Sequence, residues 1–207
     1  MKRETPYLAG MKEHATKQRL LNAGEQLFRT QGYAATGLKE LTQAAEAPWG
    51  SMYHFFPDGK EQLGAEIVRY AGEFYGAGCQ ATFDRFVDPA EAVERIFLFE
   101  VGVLQSSDYR NGCPIASVTL DTASTSEVLR AAAASAFAGW LQTFARAFIA
   151  AGAPEAEAAA LASFVLSCLE GAIILARAAK DPAALRQSAP LVRQVIDRAA
   201  ESWSGPT

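Results

Sequence analysis

Histidine and cysteine are scarce in this 207-residue chain, with two His and three Cys. Cys79, Cys113 and Cys168 form no C-x-x-C pair and no even framework, so free thiols in a reducing compartment are expected. His14 and His54 lie far apart, and no H-E-x-x-H, G-x-S-x-G or Walker sequence occurs. Gly76-x-Gly78-x-x-Ala81 nominally fits a dinucleotide fingerprint, but an amphipathic helical pattern precedes it where a strand is required. Glu61 with Glu66, and Asp121 with Glu127, read as solvated helix faces rather than paired catalytic acids. No catalytic residue, metal site or cofactor is therefore expected. The N-terminus lacks an apolar core stretch of the secretory kind. The longest apolar-rich run, Ala158 to Ala176, is interrupted by Ser163, Ser167 and Glu170 and reads as a buried helix rather than a membrane span. A cytoplasmic protein is expected.

Half of the residues are apolar and the net charge is −4, enough for a sizeable core and one to two domains. The charge is unevenly divided. Residues 1–60 hold eight Lys/Arg against six Asp/Glu, or +2, and the rest hold eleven against seventeen, or −6. A mildly basic end on an acidic body suits phosphate contact at that end only.

No strand pattern and no repeat is visible; helix follows helix, and the fold class is all-α. Asp58-Gly59-Lys60-Glu61 reads as a capping box opening a helix with Leu63, Ile67, Tyr70 and Phe74 on one face. Asp88-Pro89 opens another, with Val93, Phe97, Val101 and Leu104. Residues 106–114 form a loop, and Pro114 starts a short helix. A long helix follows from Glu127 to Ala151 with Phe137, Trp140, Leu141, Phe144 and Phe148, and Gly152-Ala153-Pro154 breaks it. Two more helices are expected at about 155–179 and 183–203.

Residues 36–63 carry the most specific pattern. Leu38, Leu41 and Ala45 mark one short helix. Ala44 and Ala45 leave room for a crossing helix, and Pro48 suits the first turn of a second one reaching Phe55. So short a helix cannot hold itself together and must be held by neighbours while it shows one face outward. That is the logic of a helix-turn-helix. The segment resembles the DNA-binding domain of the TetR family of bacterial transcriptional repressors over about residues 15–65. The resemblance rests on Leu20, Ala23, Leu27 and Phe28, the Gln31-Gly32-Tyr33 helix end, Thr36, Ala44-Ala45, and Gly50-Ser51-Met52-Tyr53-His54-Phe55-Phe56 followed by Lys60-Glu61. Glu46 departs from the pattern at a turn position often filled by Gly. Gly37 stands where Ser is the more usual cap, with Glu40 placed to reach back to its N–H.

The resemblance implies a homodimer that binds double-stranded operator DNA through residues 1–62 and a small effector through residues 63–207. Pro48, Trp49 and Gly50 form the end of the recognition helix that enters the major groove; Gly50 admits close backbone approach and Trp49 shapes sequence preference. Tyr53 and His54 carry over as phosphate contacts. Lys60 stands at a helix N-terminus where ammonium and free N–H groups hold a phosphate together. Thr36 and Lys39 are expected phosphate or base-edge contacts. For the effector, Phe97, Val101, Phe137, Trp140, Leu141, Phe144, Phe164 and Cys168 are expected to surround an apolar cavity, with Gln105, Ser117, Thr119 and Glu170 as polar anchors. Leu169, Ile173, Val192, Val195 and Ile196 are expected at a dimeric four-helix interface.

The span HFFPDGKEQL together with Gly112-Cys113-Pro114-Ile115-Ala116-Ser117 resembles the branch with flavonoid- and drug-responsive members. That implies a hydrophobic or aromatic effector. Related repressors also carry a Cys after Gly here that responds to electrophiles and oxidants. Cys113 precedes a helix N-terminus, which can lower a thiol pKa. It is read either as a small residue lining the pocket or as the reactive thiol of an electrophile- or redox-sensing repressor.

Overall fold

The computed structural model describes residues 6–203, with side chains from 14 onward. The outermost ends of the two expected domains, residues 1–5 and 204–207, lie outside the described residues. Nine helices and no strand occur among the described residues: α1 Pro6–Ala35, α2 Leu38–Ala44, α3 Trp49–Phe55, α4 Lys60–Arg85, α5 Pro89–Ser106, α6 Pro114–Thr122, α7 Glu127–Ala150, α8 Glu155–Ala179 and α9 Ala183–Ala200. The regular run of α1 stops at Gly32, whose φ of 82° only glycine adopts cheaply. This is the Gln31-Gly32-Tyr33 end expected from the sequence.

Two apolar clusters organise the bundle. One gathers Leu20 and Phe28 of α1, Leu41 of α2, Met52 of α3 and Phe56 beside residues of α4, α6 and α7. The other joins α5, α8 and α9 with the C-terminal half of α7. Met52 and Phe56 are fully buried. Each contributes about 2–3 kcal/mol of transfer free energy, which offsets the nucleation cost of a seven-residue helix. The expected boundary near residue 62 falls in the first turn of α4, which continues unbroken to Arg85. One helix therefore belongs to both ends of the molecule.

α4 and α7 lie unusually close. A Cβ on Gly72 would stand 2.7 Å from the Ala136 methyl, and one on Gly64 would meet Leu129 at 3.0 Å and the Tyr33 ring at 2.7 Å. The Trp140 indole N–H donates to the Gly72 carbonyl at 2.8 Å across the same seam. α8 is long and apolar enough by composition to cross a membrane. Here only one of its faces packs into the bundle core rather than most sides, with Phe164, Ile174 and Leu175 exposed and Glu170 on the inward side.

Local details correct the sequence reading. The cap of α4 is Gly59 at φ 80°, not Asp58, and it receives no side-chain bond. Gln62 accepts the Asp58 N–H, while Glu61 accepts from Ser126. Glu40 does not return to the α2 cap but accepts from Gln31 at 2.9 Å. On α4, Leu63 and Ile67 are buried as expected, whereas Phe74 is exposed beside Tyr70 because Ala71 and Gly72 take the inward face.

Candidate nucleic-acid interface and ligand cavity

The α2–α3 pair is held from beneath. Arg19 of α1 donates to the Ala45 carbonyl at 2.9 Å and reaches that of Glu46. Glu46 takes φ 49°, the left-handed conformation that its turn position demands. Pro48 is the cap of α3, one residue before the helix rather than inside it, and its carbonyl accepts the Ser51 N–H. With Met52 inward, Pro48, Trp49, Gly50, Tyr53 and His54 face outward. Trp49 and Tyr53 are each half exposed and meet edge to face at 5.8 Å, one turn apart. Nothing would obstruct a Cβ on Gly50, so that position is open to a bulky partner. Exposed Lys39 lines a groove with Thr42, Gln43, Ala47 and Trp49, joining α2 to the recognition helix.

Two expected contacts differ in setting. Thr36 is buried, and its hydroxyl donates to the Gly32 carbonyl at 2.7 Å. Its side chain closes the α1–α2 turn and is not presented to a phosphate. Lys60 is half-buried, with its ammonium 4.4 Å from the Tyr33 ring centroid and 3.4 Å from the Ala34 carbonyl. Burial lowers its pKa, opposed by the Asp121 carboxylate. The sequence carries no signal for Arg19, which supports the turn, because an exposed arginine on an amphipathic helix has no distinguishing spacing.

A narrow cavity of about 70 Å³, opening towards solvent, lies behind this module. Each wall arrives at helical spacing: Tyr75 and Cys79 of α4, Ile96 and Glu100 of α5, Trp140 and Phe144 of α7, and Leu166, Leu169, Glu170 and Ile173 of α8. Arg29 of α1 and Gly112-Cys113-Pro114 complete it. Of the expected lining, Cys113, Trp140, Phe144 and the anchor Glu170 are present. Phe97 and Val101 are buried one residue out of register, because Ile96 and Glu100 present the facing edge of α5. Phe137 packs on Trp140 at 5.6 Å, and Leu141 bridges the two core clusters. Phe164 faces outward, and Cys168 packs against the core away from the cavity. Gln105, Ser117 and Thr119 also lie off its walls.

The polar lining is connected. Tyr75 donates to Glu25 at 2.5 Å, and the Arg29 guanidinium lies over the Tyr75 ring with Glu25 3.6 Å from its Nε. Arg29 also binds the loop before α6 twice: Nε donates to the Gly112 carbonyl at 3.2 Å, and its own carbonyl accepts the Gly112 N–H at 3.0 Å. Arg177 of α8 braces that loop through the Arg110 carbonyl at 2.9 Å. Burial raises the Tyr75 phenol, helped by Glu25, and pushes Cys79 up to about 12. Burial also raises Glu100, against the pull of Arg29, and lifts Glu170 to about 7.

A family model described as bacterial regulatory proteins of the tetR family matches residues 20–67, and one described as the C-terminal domain of LmrA/YxaF-like transcriptional regulators matches residues 89–190. The chain is 35% identical over 166 residues to the HTH-type transcriptional regulator YxaF of Bacillus subtilis, covering 80% of this chain and 87% of that one. It is 30% identical over 184 residues to the regulator LmrA of the same organism, covering 88% and 97%. The crystal structure of regulatory protein TetR from Rhodobacter sphaeroides superposes with a TM-score of 0.76 at 21% identity, over 86% of this chain and 96% of that one.

The chain belongs to the TetR family. It is a DNA-binding transcriptional regulator of the LmrA/YxaF-like branch, not an enzyme, and TetR-family membership brings operator binding and dimerisation through the C-terminal domain. In this TetR-family regulator the expected dimer residues separate into two sets. Leu169 and Ile173 line the cavity, and Val192 and Ile196 are buried in the protomer's own core. Only Val195 of the expected five is exposed. The outward apolar face consists of Phe164, Ile174 and Leu175 on α8 with Leu191 and Val195 on α9. Cys113 is also corrected. Its sulfur caps α6 by accepting the Ala116 N–H at 3.4 Å, but burial and the Glu170 carboxylate raise the thiol well above its ordinary range. The helix N-terminus does not make it a thiolate.

Proposed function

We propose that this TetR-family regulator is a repressor that holds a pseudo-palindromic operator as a homodimer and is released by an apolar or aromatic small molecule bound in the α4–α8 cavity. Residues 1–62 form the DNA-binding unit and residues 63–207 the effector and dimer unit. The observation that carries this reading is the double attachment of α6. At its start Cys113 and Pro114 form cavity wall. At its far end Asp121 accepts the Ala34 N–H at 3.0 Å, beside the Gly32 turn and within the field of Lys60. A ligand that favours a different seat for Cys113 and Pro114 thereby favours a different seat for the α1–α2 turn. The shift it produces is bounded by its differential affinity for the two arrangements.

On DNA, Trp49 and Gly50 address base edges or sugar, while Tyr53, His54, Lys39 and Lys60 address phosphates. The apolar face of α8 and α9 covers itself by meeting a second copy across a two-fold axis, which sets two recognition helices about 34–36 Å apart on adjacent major grooves. Such a regulator works in the cytoplasm, at the chromosome. The test is a screen of flavonoids, phenolics and lipophilic cations, read by Trp140 fluorescence with Trp49 and Trp203 replaced by Phe, and by operator release. Compounds that quench Trp140 and release DNA support the reading. The competing electrophile sensor is favoured instead if only electrophiles release DNA and Cys113→Ser abolishes that response, an outcome the raised Cys113 pKa argues against.

A further inference from the structure

The cavity walls are mostly apolar, yet they carry more acid than base. Among the described residues Arg29 is the one cation lining the cavity, and it is already engaged by Glu25, the Gly112 carbonyl and the Tyr75 ring. Tyr75 is committed to Glu25. Two carboxyl groups then remain, Glu100 from α5 and Glu170 from α8, close enough that Glu100 raises the cost of ionising Glu170. The Oε2 atom of Glu170 is sealed from solvent and has no hydrogen-bond partner among the described residues. A buried acceptor left unpaired is costly, so its retention calls for a partner that arrives from outside. Around it stand aromatic and aliphatic surfaces, Trp140 and Phe144 from α7 and Leu166 and Ile173 from α8.

From this arrangement we infer that the cavity selects an aromatic amine, whose ammonium group donates to Glu170 between the two carboxylates while its rings lie against Trp140 and Phe144. This rests on the reading of the cavity as the effector site and adds the charge of the effector to it. An anionic aromatic would meet an Arg29 whose Nε is held by Gly112 and whose charge is already shared with Glu25, and would face two acids opposite. A neutral hydrocarbon would fill the space and leave the Oε2 atom of Glu170 unpaired, with the Cys113 thiol still beside the carboxylate.

Binding of a cation requires Glu170 ionised, and the groups facing it set the pH at which that happens. These are Glu100 of α5, Arg29 of α1, Cys113 at the start of α6, and Tyr75 and Cys79 of α4, with no titratable group on the lining of α7. Burial is the main reason the free carboxyl titrates near 7. Affinity for a cation that stays protonated throughout therefore rises with pH across neutrality, by about tenfold between pH 6 and 8.

The full-length protein is titrated calorimetrically with three compounds of matched shape: anthracen-9-ylmethylammonium, 9-ethylanthracene and anthracene-9-carboxylate. The expected order at pH 8 is cation over hydrocarbon by at least about tenfold, as one unit of carboxylate pKa change requires, with the anion weakest. Glu170→Gln should remove the cation's advantage and its pH dependence while the hydrocarbon binds as before, which also certifies that the variant is folded. Equal binding of cation and hydrocarbon, preference for the anion, or a cation advantage that survives Glu170→Gln overturns the inference and leaves the effector cavity standing. Failure of all three compounds to bind overturns both.

Discussion

The carboxylate of Asp121, at the end of α6, accepts the backbone N–H of Ala34 at 3.0 Å, just past the Gly32 break in α1. This joins the short helix that begins on the cavity wall to the turn that begins the helix-turn-helix. Asp121→Ala should leave the cavity's affinity for its ligand unchanged while reducing the loss of operator affinity that the ligand causes. Reciprocal titrations of ligand and operator measure that coupling, which must be equal in both directions. Undiminished coupling in the variant rules out this bond as the link.

On DNA, Lys60→Ala should weaken binding to operator and unrelated sequences alike. The slope of log K against log salt should flatten by about one, the loss of a single phosphate contact. Trp49→Ala should change the ranking of operator variants instead. An unaltered salt slope in Lys60→Ala would show that its ammonium stays over Tyr33 and serves the protein rather than the operator.

For assembly, charges placed on the outward face should separate protomers without unfolding them. Leu175→Glu with Leu191→Glu should sediment as a folded monomer with weakened operator binding. Ile173→Glu or Ile196→Glu places a charge in a packed interior and should lower the melting temperature before it changes the assembly. A Leu175→Glu/Leu191→Glu protein that remains a dimer at micromolar concentration places the interface elsewhere.

Glu170 also sets a pH dependence of stability. Its folded pKa of about 7 lies above the ordinary 4.5, so the native state binds more protons than the unfolded state between those values. Stability therefore falls as pH rises from about 4.5 to 7, by up to roughly 3 kcal/mol. Glu170→Gln should be close to neutral at pH 5 and stabilising at pH 8 in chemical denaturation. A variant equally or less stable than the parent at pH 8 contradicts a strained Glu170.

The DNA-binding end was legible in the sequence because local chemistry fixes it. Pro48, the small Ala44-Ala45 pair and the inward Met52 and Phe56 act within a few residues of one another. The conformation that Glu46 must take follows from the tight turn alone. The C-terminal helices were legible as helices but not as oriented surfaces. Ile173, Ile174 and Leu175 are consecutive apolar residues, and nothing local decides which faces the cavity and which faces out. The same one-residue ambiguity put Phe97 and Val101 on the cavity in place of Ile96 and Glu100. Arg29 and Tyr75 carry no local signal, because a cationic and a phenolic side chain on amphipathic helices look like surface until a partner 50 or more residues away is known.

The missing side chains at Gly64 and Gly72 have a mechanical meaning. Two helices separated by ordinary side chains can slide or tilt by small repacking, whereas α4 and α7 meet almost backbone to backbone at Gly72 and Ala136, clasp Leu129 against Gly64, and are tied by the Trp140–Gly72 bond. They form one stiff rod with the Trp140 wall near its middle and Lys60 at its tip. In the proposed reading, a ligand that displaces the Trp140 wall carries Lys60 with it, because so close a seam leaves little room for repacking in between.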